Sequence, residues 1–368
     1  MWKKMMMTPE TELELAEMIA GAEAPLAIRG GGTRGFDVAG QALSTCGLTG
    51  IELYEPGALT MVARAATPVA EIEALLAESG QRLAFEPMDH RGLMGTDGNP
   101  TIGGVFAANV SGPRRIQCGA ARDFLLGVRF VDGMGQVVKN GGRVMKNVTG
   151  YDLVKLMAGA HGTLGVLSEV SFKVLPIPEA EATVRVGNVD LGVAVQGMSA
   201  ALGSPYDVTG AAYDPATRGA YIRVEGFAGS VAYRAGRLVS ELARFGKAQQ
   251  VDGGAQLWRG IRDVTAFEGR EGDVWRISVQ PSDAVALADA LQADALQFDW
   301  GGGLIWALAP AGVDLRARMT VPGHATLVRG SAETRSRFQP QPAPLAAISA
   351  GLRAKFDPRG ILNAGLMG

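Results

Sequence analysis

The stretch PLAIRGGGTRG, residues 25 to 35, constrains this chain more than any other. A short apolar run leads straight into glycines, and Gly30, Gly32 and Gly35 satisfy the G-x-G-x-x-G spacing of a dinucleotide-binding turn. With 51 glycines in 368 residues, a random chain would hold about one glycine triplet, and a second does occur at Gly301 to Gly303. Context must therefore decide. A Rossmann turn feeds directly into a helix, because the helix N-terminus holds the pyrophosphate. Here the strand is followed by FDVAGQALSTCGLTG, with glycines at 40, 47 and 50 and no 3.6-residue apolar stripe. That reads as loop and short strand. GIELYEP and LTMVARA follow as strands, and a clear helix starts only at Thr67-Pro68, with Val69, Ile72, Leu75 and Leu76 on one face. Glu52 and Glu55 stand at the spacing of a ribose-binding acid but have no βαβ unit around them. An NAD-dependent Rossmann dehydrogenase is disfavoured; another phosphate cradle and a plain glycine turn stay open.

Composition narrows the class. Hydrophobic residues make up 47% and charged residues 20%, which fits a soluble globular enzyme and excludes general disorder. A net charge of -2 gives no electrostatic case for nucleic acid or an anionic membrane. No apolar run reaches the length of a membrane span, and MWKKMMMTPETELE has no signal-peptide core, so the expected compartment is the cytoplasm. Cys46 and Cys118 are the only cysteines, which argues against a disulfide framework, a zinc site or an iron–sulfur cluster on this chain.

Three segments are expected. In residues 8–178, a helix runs from Thr8-Pro9 to about Ala20, DFLLGVRFVDGMGQVVKNGG forms a hairpin, and YDLVKLMAGAHGTLGVLSEVSFKVLPIP gives helix, glycine turn and long strand. Residues 179–338 carry VTGAAYD, AYIRVEGF, VWRISV, ALQFDW and LIWALAP as strands of a second sheet, crossed by helices near 230–245 and 282–292. Residues 339–368 open with the Pro-rich QPQPAP, continue as a helix through LAAISAGLRAKF and stop at DPRGILNAG. The fold class is α+β.

Four stretches in order, IRGGGTRG, PTIGGVFAANVSGP, YDLVKLMAGAHGTLGVLSEVSFKVLP and FDPRGILNAG, together resemble the FAD-linked oxidase family, whose flavin-binding domain is of the vanillyl-alcohol-oxidase or PCMH type. The likeness spans residues 8–178 and roughly the last twenty. Within that family, GRVMKNVTGYDLVKLMAGAHGTLGV, the short chain and FDPRGILNAG are most similar to the smaller flavin-binding subunits of bacterial glycolate oxidases (glycolate dehydrogenases). The resemblance implies a two-subdomain FAD-binding domain over 8–178, an α+β cap over 179–338 that meets substrate or partner, and a C-terminal segment over 339–368 that completes the flavin site.

By the same resemblance, Arg29, Gly30, Gly31, Gly32, Thr33 and Arg34 would wrap the FAD pyrophosphate, since only glycine lets backbone approach so closely. Thr101, Ile102, Gly103 and Gly104 would follow the ribityl chain and pyrophosphate, and Ala108, Asn109 and Gly112 would approach the flavin; a Gly/Ala helix packed on a sheet is the plainer alternative. Gly165 and Val166 would face the adenine, and Asn363 would reach the isoalloxazine ring, though Ala364 stands where the family usually has Pro. Thr33 and Arg34 follow the triplet where covalent members commonly carry His, so FAD would be held non-covalently.

Relatives acting on D-2-hydroxy acids use a histidine-rich metal motif in the second domain. This chain has only His90, His161 and His324, so no metal ligands and no catalytic residue are assigned. Asp89-His90-Arg91 and Arg114-Arg115 read as surface or loop-anchoring charges, His324 as a loop residue, Cys118 as a partly buried thiol, and Trp258, Trp275, Trp300 and Trp306 as core. The implied reaction is hydride transfer from the Cα of glycolate or a similar 2-hydroxy acid to flavin, within a complex containing a larger flavoprotein subunit and an iron–sulfur subunit that passes electrons to a membrane quinone pool. The complex would be cytoplasmic and could touch the inner membrane through those partners. A flavin-bearing structural subunit without turnover is the alternative.

Overall fold

The strand expected at PLAIR is β1 (Leu26–Arg29), paired in parallel with the short β2 (Gln41–Ser44). The computed structural model describes residues 6–143, 150–332 and 336–367; part of the GRVMKNVTGYD stretch, residues 144–149, lies outside the described residues. Met7 extends the β1–β2 layer: its N–H donates to the Ala42 carbonyl at 3.0 Å and its carbonyl accepts from the Ser44 N–H at 2.8 Å. Held extended there, the chain cannot turn at Thr8-Pro9 as expected. Helix α1 (Glu12–Ala20) starts later, with the Thr11 hydroxyl accepting the Glu14 N–H at 3.1 Å as its N-cap.

The first unit continues with β3 (Ile51–Glu55), β4 (Thr60–Arg64), α2 (Val69–Glu78), β5 (Gln81–Arg82), α3 (Arg91–Met94), α4 (Ile102–Ala107), α5 (Arg115–Cys118) and α6 (Ala121–Phe124). It closes with β6 (Leu125–Val131), β7 (Val137–Gly141), α7 (Leu153–Met157), β8 (Val166–Lys173) and β9 (Leu175–Pro176). Strands β3-β4-β8-β6-β7 form an antiparallel sheet, and β6–β7 is the expected hairpin. Phe85, Phe106, Phe130 and Phe172 fill its core with α2 and α4.

The second unit is a larger antiparallel sheet with order β13-β10-β12-β11-β15-β16-β14-β17. Its strands are β10 (Ala180–Gly187), β11 (Val208–Asp214), β12 (Gly219–Gly226), β13 (Lys247–Val251), β14 (Asp273–Val279), β15 (Ala295–Asp299), β16 (Leu304–Ala309) and β17 (Gly323–Arg329). Helices α8 (Leu191–Leu202), α9 (Ala228–Leu242) and α11 (Ala284–Leu291) cover one face with an apolar core that includes Trp275. On the other face, α10 (Gly254–Asp263) seats Trp258 against Ala212 and Tyr221. Next to it, Trp300, Trp306 and Leu304 pack on Met88 and Leu93 of the first unit. All four tryptophans are core residues, as expected. His324 lies on β17 and not in a loop, because the run HATLVR alternates between the two faces of the sheet.

The C-terminal segment returns as expected. Helix α12 (Ala343–Phe356) brings Phe356 to 6.0 Å from the Phe130 ring. Beyond it the Leu26 N–H donates to Ile361 O at 2.7 Å and the Asn363 N–H to Leu26 O at 3.1 Å, so the last residues pair with β1. Arg359 fixes this return by donating to the carbonyls of Ile19, Ala20, Ala22 and Gly133.

A buried ion network joins the two units. Arg223 on β12 makes a two-pronged contact with Glu86 at 2.9 and 2.8 Å. Glu225 accepts from Arg82 at 2.9 Å and from Arg114. Arg114 is thus 4% exposed, not a surface charge. Burial alone would push the Glu225 carboxyl up, but Arg223, Arg114 and Arg82 outweigh it and hold it at about 2. Removing one partner of such a set strands the others in low dielectric. Glu225→Ala should therefore cost about 3–5 kcal/mol in urea unfolding. The same carboxylate contributes stability that is complete above its ordinary 4.5 and lost as pH falls toward 2. Unchanged stability in the variant would contradict the network's role.

Candidate functional site

The loop after β1 and the segment before α4 build one wall of a cavity of about 360 Å³. A Cβ on Gly31 would land inside the Asn99 carbonyl, and one on Gly98 inside the Gly31 carbonyl. Only glycine permits this crossing. One residue earlier, a Cβ on Gly30 would come within 2.8 Å of Thr101 Oγ1, which already accepts the Gly104 N–H at 3.3 Å as the α4 N-cap. Gly32 and Gly35 take positive φ (72° and 57°) and close the turn through a Gly35 N–H to Gly32 O bond of 3.3 Å.

The crossing leaves donors free. No acceptor among the described residues takes the backbone N–H of Gly31, Gly32, Thr33 or Arg34, and all four residues line the cavity. Successive unpaired N–H groups in a glycine turn make an anion nest. Arg34 adds a cation with no ion-pair partner among the described residues, and burial pushes its guanidinium down to about 10. A diphosphate fits this donor set in charge and in its need for N–H donors.

Of the expected residues, Arg29, Gly30, Gly31, Gly32, Thr33, Arg34, Thr101, Gly103, Gly104, Gly165, Val166 and Asn363 line the cavity. Ile102, Ala108, Asn109 and Gly112 do not. Ile102 is fully buried in the phenylalanine core, and the Asn109 amide oxygen accepts the Arg122 N–H at 2.9 Å. Ala108 caps α4, and the Gly112 carbonyl accepts from Trp300 Nε1 at 3.1 Å. The N–H groups of α4 are also spoken for: Ile102 donates to Thr67 O at 3.0 Å and Gly103 to Ala65 O at 2.7 Å. A Cβ on Gly103 would stand 2.6 Å from the Ala65 Cβ, so this glycine serves close helix–sheet packing. Asn363 spends its amide on structure, accepting the Ile28 N–H at 2.7 Å and donating to His161 O at 2.9 Å.

The structure brings to the cavity residues that the sequence had not assigned to it. His90, expected on a surface loop, is 9% exposed and lines the cavity with His161 and Met88. Burial, then the Arg34 charge, drives both imidazoles down to about 3. His161 also stacks on Phe338 at 4.7 Å, beside Phe36. Isolated histidines in a sequence carry no signal for such a site, because the loops that bring them together are remote. Arg91 keeps a conventional pairing with Asp89 at 2.7 Å, and burial raises the Cys118 thiol to about 11. Among the described residues no group of three or more His, Cys, Asp or Glu converges on a metal position.

The α+β unit places a glycine crossing beneath a cavity suited to a phosphate-bearing ligand, and a family model described as an FAD binding domain matches residues 4–141. The chain belongs to the FAD-linked oxidase family. It is 38% identical over 362 residues to glycolate oxidase subunit GlcE of Escherichia coli (strain K12), covering 96% of each chain. Over 117 residues it is 35% identical to glycolate oxidase subunit GlcD of Bacillus subtilis (strain 168), or 32% of this chain and 23% of that one. A solved structure of alkyldihydroxyacetonephosphate synthase shares the fold, with a TM-score of 0.71 at 16% identity over 97% of this chain and 75% of the other. Among the described residues no helix is long and apolar enough to cross a membrane.

The buried imidazoles make a direct prediction. With three histidines in the chain, NMR should show His90 and His161 neutral at pH 5, where a solvated imidazole is charged. Their folded values lie below the ordinary 6.5, so the stability they carry is complete above 6.5 and lost as pH falls toward 3. Titration of either near 6.5 would contradict their burial.

Proposed function

We propose that this chain is the FAD-binding subunit of a glycolate oxidase complex, acting in the oxidation of glycolate or a similar 2-hydroxy acid to its 2-oxo acid. The observation that carries the reading is the anion nest of Gly31 to Arg34 in the cavity of a chain 38% identical over nearly its whole length to a glycolate oxidase subunit. Bound FAD supplies a hydride acceptor that passes electrons on singly or in pairs. The protein's residues hold it: the nest and Arg34 take the diphosphate, Thr101, Gly103 and Gly104 wall its path, and Gly165 and Val166 shape the far end. Asn363 acts at one remove, pinning β1 to the His161 turn. His90 and His161 stay neutral, so they line the cavity as uncharged polar groups and, at about 3, are weak proton acceptors.

Residues 8–178 would form the flavin domain, 179–338 the cap, and 339–368 the segment that completes the site. Thr33 offers no nucleophilic nitrogen for a flavin bond, so FAD is held non-covalently. Onward transfer falls to a larger flavoprotein subunit and an iron–sulfur subunit, since two remote cysteines ligate no cluster. The working location follows from those partners: cytoplasmic, against the inner membrane. The purified chain should be yellow, release all its flavin on acid denaturation and show negligible glycolate:dye turnover until the partner subunits are added. Colourless protein would overturn the flavin reading, flavin left on the denatured chain the non-covalent one, and full turnover by the isolated chain the division of labour.

A further inference from the structure

Two arginines beside the cavity lack the partner that their setting calls for. Arg115 opens α5 of the first unit, and its guanidinium lies 4.5 Å from the Trp300 ring centre. Arg276 comes from β14 of the second unit and stacks on the same ring at 5.0 Å. Neither side chain makes a hydrogen bond or ion pair among the described residues. Trp300 itself is buried, with its indole N–H committed to Gly112 O.

The strand register explains why they meet. Trp275 and Ile277 point into the helix-covered core, so Arg276 between them and Ser278 after them face the other side of the sheet, toward the first unit. On β17, Ala325 and Leu327 point into that core, which turns His324 and Thr326 to the same side, opposite Ser278 and Arg276. His324 is exposed and feels the charge of both arginines, and His90 in the cavity wall feels that of Arg276 and of Arg34. The neighbouring carboxylates, Asp299 for Arg276 and Asp123 for Arg115, attract the arginines but spend hydrogen bonds on backbone. Asp299 accepts the Trp300 N–H at 2.7 Å and burial raises it to about 7; Asp123 accepts the Ala120 N–H at 2.8 Å.

Burial, and after it the charge of Arg115 on the same indole, holds the Arg276 guanidinium down at about 10. An anion within reach of both guanidinium groups would relieve both penalties. We propose that Arg115 and Arg276, platformed on Trp300 and flanked by His324, form a binding site for the carboxylate of a small organic acid at the seam between the two sheets, beside the cavity. Planar guanidinium forks match a carboxylate in two-pronged fashion, and the indole excludes water from the pair. The site needs no metal, so the acid is captured without a histidine cluster. This rests on the flavin reading only for the identity of its neighbour.

The test is calorimetric titration of the flavin-loaded full-length chain with oxalate, a small carboxylate probe, with inorganic phosphate as a second arm. Oxalate should bind in preference to phosphate. Arg276→Gln and Arg115→Gln should each weaken oxalate about tenfold or more, Arg276→Lys less, and the distant Lys247→Gln not at all. Retained flavin absorbance and melting temperature in the lysine variant keep the result free of folding effects. No oxalate binding, a preference for phosphate, or equal affinity in all variants would overturn the site. A yellow protein blind to oxalate defeats this inference alone; a colourless protein that still binds oxalate defeats the flavin reading alone.

Discussion

Backbone from Gly30 to Gly32 crosses backbone from Gly98 to Thr101 at a separation that leaves no room for a Cβ on Gly31 or Gly98. The crossing locks the loop after β1 against the start of α4, and so fixes where the N–H groups of Gly31 to Arg34 point. It also explains why they are unpaired: the partner strand β2 ends at Ser44, and the segment that passes beneath presents the Asn99 carbonyl edge-on to a glycine and not to a donor. A helix N-terminus performs this office in a Rossmann turn. Here the loop does it, while the N–H groups at the start of α4 are turned inward to Thr67, Ala65 and Thr101.

Charge is distributed to suit an anionic ligand. Arg34 faces the cavity without a carboxylate, and two neutral imidazoles stand close by. Behind them, Arg82, Arg114 and Arg223 are balanced by Glu86 and Glu225, so that cationic cluster is consumed in holding the two sheets together. The contrast separates structural from ligand-facing arginines. Arg82, Arg114 and Arg223, with carboxylates, join the units; Arg34 lines the cavity without one, and Arg115 and Arg276 stack on Trp300 without one.

Much of this was legible in the residues. The glycine run and the missing helix after it disfavoured a Rossmann turn, because local propensity and period are decided over a few positions. The ordered motifs placed twelve residues on the cavity. What failed did so for tertiary reasons. Gly112, Asn109 and Ala108 share a glycine-rich stretch with real cavity residues, yet Trp300, 188 residues away, claims the Gly112 carbonyl, the Arg122 N–H claims the Asn109 side chain, and Ala108 ends α4. Arg114 looked like a surface charge because its partner Glu225 is 111 residues away. His90 looked like a loop group for the same reason, and the start of α1 moved because Met7 found β2.

The central claim is that the loop and Arg34 hold a diphosphate. Equilibrium binding of FAD and of riboflavin, which lacks the phosphates, to the apo-protein and to Arg34→Gln tests it most directly. Losing one charge-assisted contact should weaken FAD by about tenfold to a hundredfold and leave riboflavin affinity unchanged. An equal loss for both ligands, or none for FAD, would contradict the account.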